Sequence, residues 1–229
     1  MEPCAIVPLP GAVDPSSVVV PVAGEAPLVR IVRAVLHGVG PARVVVAVAP
    51  TLATVTRDCL SSAGLDAVAV VVASHPASRG EVLVAGLEHL GLQPHSPTPV
   101  LLCDHRYPLA PGELAERVLD GVVAGHEVVV PVLPVTDTVK TVDELGSVLS
   151  TVDRSALRTV QYPRGFTAAA LWDAISGPPA SPRDGADEVD AVLRAGVDVA
   201  TVVGHPDALR FELPRDAPLL DAIIGCRLS

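Results

Sequence analysis

Positive charge is scarce in this chain, and it is missing where a nucleotide-binding fold would most need it. The 229 residues carry 16 Lys plus Arg against 26 Asp plus Glu, a formal net charge of −10. That balance argues against a nucleic-acid binder and against a protein that adheres to anionic membranes. No Lys or Arg occurs before Arg30. Aromatic residues make up 2 % of the chain, too few for a platform that stacks single-stranded bases. Long apolar runs are also missing. Although 49 % of the residues are hydrophobic, they come in short runs of Val, Ala and Leu, well below the roughly 18 to 20 residues that span a bilayer. The amino terminus lacks a basic segment followed by an apolar stretch and a small-residue cleavage site, so a cytoplasmic location is expected. Cys4, Cys59, Cys103 and Cys226 form no C-x-x-C pair, which argues against a zinc or redox centre and predicts buried thiols.

What is present is an alternation of strands and helices. Residues 4–7, 43–49 (RVVVAVA), 67–73 (AVAVVVA), 99–103 (PVLLC) and 127–133 (EVVVPVL) are apolar or β-branched runs without polar alternation, as expected of parallel strands buried on both faces. Between them lie sets with helical spacing: Leu28, Ile31, Val32 and Val35; Val82, Leu83, Gly86, Leu87 and Leu90; Leu114, Val118 and Val122. The order predicts an α/β, doubly wound, mostly parallel sheet, with ligands bound beyond the carboxyl ends of its strands. Composition does not break before the Pro-rich stretch at 177–182, so one domain over 1–229 is the economical expectation. Residues 134–166 are rich in Thr and Val around a DELGS turn, and predict an extruded β-arm over about 135–161. A helix at 168–175, a Gly/Pro/Ser-rich connector at 176–185, a helix at 187–195 and short strands at 197–203 and 208–213 complete the pattern.

The string from Cys103 to Phe166 contains D-T-x-K at Asp137–Lys140, then T-x-D-R ending at Arg154, then Q-x-P-x-G-F from Gln161. In that order these motifs resemble the 2-C-methyl-D-erythritol 4-phosphate cytidylyltransferase family of the non-mevalonate isoprenoid route. The resemblance runs over almost the whole chain and is weakest before Gly24. It implies a Rossmann-like nucleotidyltransferase fold and a homodimer in which the arm of one subunit closes the other's active site. It also implies attack of a sugar-alcohol phosphate on the α-phosphorus of CTP, with Mg²⁺ bridging the phosphates. By that resemblance Asp104 falls on the magnesium-associated position. Thr138, Arg154, Arg210 and Asp187 fall on the sugar-phosphate side, Ala186 standing where the family has Thr. Gly11 and Arg79 fall on the nucleotide side. Neither nucleic acid nor membrane is an implied partner.

Departures concentrate on the nucleotide side. The family's glycine-rich loop carries an Arg and ends in Pro-Lys, whereas the run here is PLPGAVDPSS (8–17), shorter and without either cation. Pro10 also removes a backbone N–H from a turn whose N–H groups cradle phosphate. The family's Gly-Gly segment reads VASHPAS (72–78), Val82 replaces a Ser, Tyr162 replaces a Thr, and D-A-A-R-P becomes DHRYP (104–108). Losing one preorganised donor to developing phosphate charge costs roughly 3 to 4 kcal/mol, so two lost cations imply on the order of 10⁴-fold in rate unless Arg79 or Arg106 compensates. The expectation is an impaired or inactive homologue. The alternative is an active cytidylyltransferase or related enzyme with Mg²⁺.

Each candidate has a plain structural alternative. Asp104 could cap the turn after its strand, Thr138 could simply form a strand, and Arg154 could pair with Asp137 or Asp153. Arg210 could be a solvated strand residue. His105 is expected to point away from Asp104, as neighbours on an extended chain do. Arg79 at a helix start is unfavourable for the helix dipole unless an anion binds there.

Overall fold

The computed structural model describes residues 1–74, 77–177 and 187–228; His75, Pro76, Ala186 and most of the Pro-rich connector lie outside the described residues. In chain order the first half comprises β1 (Cys4–Leu9), α1 (Ser16–Val19), α2 (Pro27–Val35), β2 (Val44–Val48), α3 (Ala53–Ser62), β3 (Ala69–Val72), α4 (Arg79–His89), β4 (Pro99–Leu102) and α5 (Gly112–Val123). The second half comprises β5 (Val128–Pro134), β6 (Lys140–Val142), β7 (Val148–Thr151), β8 (Arg158–Val160), β9 (Arg164–Thr167), α6 (Ala168–Ser176), α7 (Glu188–Arg194), β10 (Val199–Val203) and α8 (Ala217–Leu228).

The main sheet runs β10-β5-β9-β4-β1-β2-β3, with β8 added against β5. β1, β2, β3 and β4 are mutually parallel, as are β5 and β10, while β9 runs antiparallel between β4 and β5. Every residue of β1, β2 and β4 is buried, which explains their uninterrupted apolar sequence. α5 crosses directly over β9 because residue 165 is glycine. A Cβ there would lie 2.7 Å from Val118 Cγ1 and Val122 Cγ2.

The doubly wound sheet and the projecting hairpin agree with the sequence pattern, but four details differ. β9 is a buried central strand rather than part of the excursion, because Phe166 is fully covered. Residues 208–213 form no strand: two prolines flank the segment and its backbone bonds to loops, with Phe211 N donating to Arg106 O at 2.8 Å. Helices α3 and α8 lie outside the helices that the sequence pattern predicts. α3 is rich in Thr and Ser with weak apolar periodicity, and α8 is apolar on nearly every side. Finally, only Cys4 and Cys103 are buried; Cys59 is half-buried and Cys226 exposed, since the latter sits on the outer face of α8.

Candidate functional site

Strand order reverses at β1, with β2 and β3 on one side and β4 on the other. The crevice beyond the carboxyl ends of β1 and β4 is therefore the expected ligand site. A cleft of about 430 Å³ opens next to it, beyond the carboxyl ends of β1 and β2 and beside the start of α4, lined by Pro10, Gly11, Ala49, Pro50, Ala77 and Arg79 among others. Gly11 N is already used, donating to Ala77 O at 3.0 Å. Asp14 accepts from Ser16 N and Oγ, both at 2.9 Å, and so ties the loop into the first turn of α1. Ala77 has φ +58°, a left-handed conformation that glycine adopts without strain. The start of α4 closes on itself: Ser78 N donates to Glu81 Oε2 at 2.7 Å, and Ser78 Oγ accepts from Glu81 N at 3.4 Å.

Arg79 does not project into the cleft as an available cation. Its Nε and Nη2 donate to the Glu188 carboxylate at 2.6 and 3.2 Å, and Nη2 also reaches Tyr162 Oη at 3.4 Å. Burial opposes the charge on Arg79, but Glu188 and Tyr162 more than offset it and raise its pKa. This arrangement answers the dipole objection, since the companion anion is Glu188 of α7.

Asp104 follows β4 where the sequence placed it, but in a turn, with Tyr107 N donating to its carbonyl at 3.0 Å. Arg106 closes over the carboxylate: its backbone N and Nε donate to Oδ1 at 2.9 Å, and Nη2 to Oδ2 at 2.5 Å. Burial alone would push the Asp104 carboxyl up; the Arg106 hydrogen bonds and charge hold it instead at about 2. The same turn overturns the expectation for His105, whose Nδ1 lies 3.5 Å from Asp104 Oδ1. Burial lowers the His105 pKa despite that carboxylate. The donor set does not fit a protein-held Mg²⁺: both Asp104 oxygens are engaged, its side chain is 1 % exposed, and the described residues contain no group of three His, Cys, Asp or Glu suited to a metal. The Asp104 carboxylate that the resemblance associates with magnesium is thus paired with Arg106.

Tyr107 and Tyr162, both at positions where the family has other residues, meet with ring centroids 5.2 Å apart. Arg164 lies over the Tyr162 ring at 4.2 Å and pairs with Asp187. Asp187 is also the N-cap of α7, accepting from Val189 N and Asp190 N. Arg210 is half-exposed and pairs with Glu212. On the arm, Arg154 donates to Thr136 O, not to Asp137 or Asp153, and Thr138 is exposed. Among the described residues no hydrogen bond or ion pair joins Thr138 or Arg154 to Arg210, so one chain does not bring the three together. Glu188, Arg164 and Gln161 are the site-shaping residues that sequence reasoning did not single out as such.

The 2-C-methyl-D-erythritol 4-phosphate cytidylyltransferase family model matches residues 13–225. The chain belongs to this family. It is 38 % identical over 206 residues to the 2-C-methyl-D-erythritol 4-phosphate cytidylyltransferase of Saccharopolyspora erythraea, covering 90 % of this chain and 89 % of the relative. It is 36 % identical over 201 residues to the enzyme of the same name from Rhodococcus jostii, covering 88 % and 83 %. The crystal structure of 2-C-methyl-D-erythritol 4-phosphate cytidylyltransferase from Thermus thermophilus superposes with a TM-score of 0.74 at 28 % identity, over 98 % of this chain and all of that one. Among the described residues, no helix is long and apolar enough to cross a membrane.

Proposed function

We propose that this homologue of methylerythritol-phosphate cytidylyltransferase is a single-domain cytoplasmic homodimer whose nucleotide loop is degenerate, leaving cytidylyl transfer impaired or absent. One observation carries the reading. The guanidiniums that would have to replace the missing loop cations are bound to the chain's own carboxylates: Arg79 to Glu188, and Arg106 to Asp104. Asp104 and Glu188 are 1 % and 6 % exposed. Leaving either unpaired costs about 3–5 kcal/mol, whereas a new charge-assisted bond to phosphate returns about 1.5–3 kcal/mol. A triphosphate does not win that exchange at one residue.

The remaining half-site suits a singly phosphorylated polyol or an inorganic anion, held by Thr138 and Arg154 on the arm of one protomer and Arg210 of its partner. The exposed apolar residues Val142, Val148 and Leu149 on the hairpin support an arm that a second copy covers. Calorimetric titration tests the reading. CTP with Mg²⁺ should give no saturable binding at micromolar concentration, while a sugar-alcohol phosphate should bind at roughly millimolar affinity and lose it in Arg154→Ala. Micromolar CTP binding would overturn it.

A second reading, an active cytidylyltransferase using Mg²⁺, is favoured by the 38 % identity over nine-tenths of the chain to a relative bearing that name. It requires Arg79 or Arg106 to exchange its carboxylate for phosphate, and the same titration decides between the two.

A further inference from the structure

Gln161 lies between β8, which leaves the arm, and β9, which enters the core. The residue is 3 % exposed, and the hydrogen bonds of its side chain all go to the far C-terminal segment. Nε2 donates to His205 O at 2.8 Å and to Ala208 O at 2.9 Å, and Oε1 accepts from His205 N at 2.9 Å. The backbone N of Gln161 donates to Pro131 O in β5 at 2.9 Å, and Gly204 N donates to the next carbonyl of that strand, Val132 O, at 2.9 Å. The fit is close enough to dictate its neighbour. A Cβ on residue 204 would collide with Gln161 Oε1 and stand 3.0 Å from Val132 O, so only glycine is accommodated there.

The segment held in this way carries Arg210, and its next residue ties into the Asp104 turn through Phe211 N donating to Arg106 O at 2.8 Å. Residues 205–211 have no strand or helix of their own to fix them. The carboxamide holds one end; the Arg106 carbonyl and the buried Phe211 hold the other, with the ion pairs Arg227–Asp207 and His205–Glu113 at the surface between them. A leucine of similar size at 161 would fill the space but leave His205 N and Ala208 O without their partner, and His205 O with only Ala208 N, which is the expensive way to lose hydrogen bonds.

We propose that Gln161 is a positioning residue. Its carboxamide latches segment 204–208 to the root of the arm and thereby sets where Arg210 stands relative to the Asp104 turn. The arm and the C-terminal segment then shift together, so that a partner subunit bound to the arm influences the phosphate side of the site through this carboxamide. The binding readout rests on the phosphate half-site proposed above; the latch itself does not.

Two variants attack the latch from opposite sides, Gln161→Leu and Gly204→Ala, with Leu60→Ala in the distant α3 as a destabilised control. Full-length dimer is digested with trypsin under native conditions, and inorganic phosphate is titrated by NMR. Both latch variants should speed cleavage after Arg210 by about tenfold or more and weaken phosphate binding by about tenfold, the loss expected for one to two net hydrogen bonds. Leu60→Ala, although less stable, should do neither. Unchanged cleavage after Arg210 in both latch variants overturns the proposal, as does equal acceleration in Leu60→Ala. If the wild-type protein binds no phosphate, the half-site reading fails by itself, and cleavage still decides the latch.

Discussion

Replacing Arg106 with methionine should uncover how much of the fold's stability is stored at Asp104. The carboxylate is 1 % exposed and held by three side-chain contacts from Arg106, which is itself one-third exposed. Its pKa of about 2 against an ordinary 3.8 corresponds to roughly 2.5 kcal/mol of stability. Removing the guanidinium forfeits that contribution and leaves a buried carboxylate with the backbone N of residue 106, His105 and the more distant charge of Arg79. Breaking a fully buried pair costs about 3–5 kcal/mol, and the partial exposure of Arg106 lowers the expectation to about 3 kcal/mol. The sign of the pH dependence follows from a depressed folded-state value. The stabilisation is complete above the unfolded pKa near 4 and is lost as pH falls toward 2. Urea unfolding of wild type and Arg106→Met at pH 7, 5 and 3 should therefore give a difference of about 3 kcal/mol at pH 7 and 5 that falls to roughly half or less at pH 3. A difference that is independent of pH, or below about 0.5 kcal/mol at pH 7, would refute the reasoning.

Gly165→Ala should destabilise by about 1–3 kcal/mol in the same assay, because the new methyl meets Val118 and Val122 at 2.7 Å; adding Val118→Ala should recover part of the loss. Deleting Thr136–Thr151 should give a soluble monomer by sedimentation, since the exposed hairpin apolars go with it. Iodoacetamide at pH 8 should label Cys226 rapidly in the native protein and leave Cys103 untouched, because burial lifts the Cys103 thiol to about 12. Peptide mass mapping checks this, and early labelling of Cys103 would contradict the packing of β4.

The parallel strands were legible because their runs, such as Val44–Val48, are buried on both faces and so lack polar alternation. The hairpin was legible through its turn, where Gly146 adopts φ +84° between paired strands. Helix α8 was hidden because an evenly apolar sequence has no periodicity to read, although Leu220 and Ile224 pack with Phe211 and Val22 into a second cluster. The site was legible by position but not by partnership. Asp104 and Arg79 stand at strand and helix ends as expected. Yet what each guanidinium touches depends on contacts across the sequence, 109 residues apart in the case of Arg79 and Glu188. Nor did local spacing announce that His105 would face Asp104; a turn, not a strand, follows β4.

Turnover tests the degenerate nucleotide loop most directly. Pyrophosphate release is measured with CTP, Mg²⁺ and methylerythritol phosphate, beside a variant in which Ala12–Ser17 is replaced by a glycine-rich loop bearing Arg and Lys. The unmodified protein should stay far below about 1 s⁻¹ and the loop variant should turn over faster than it; turnover of the unmodified protein above about 1 s⁻¹ would place it among ordinary enzymes and contradict the degenerate-loop reading.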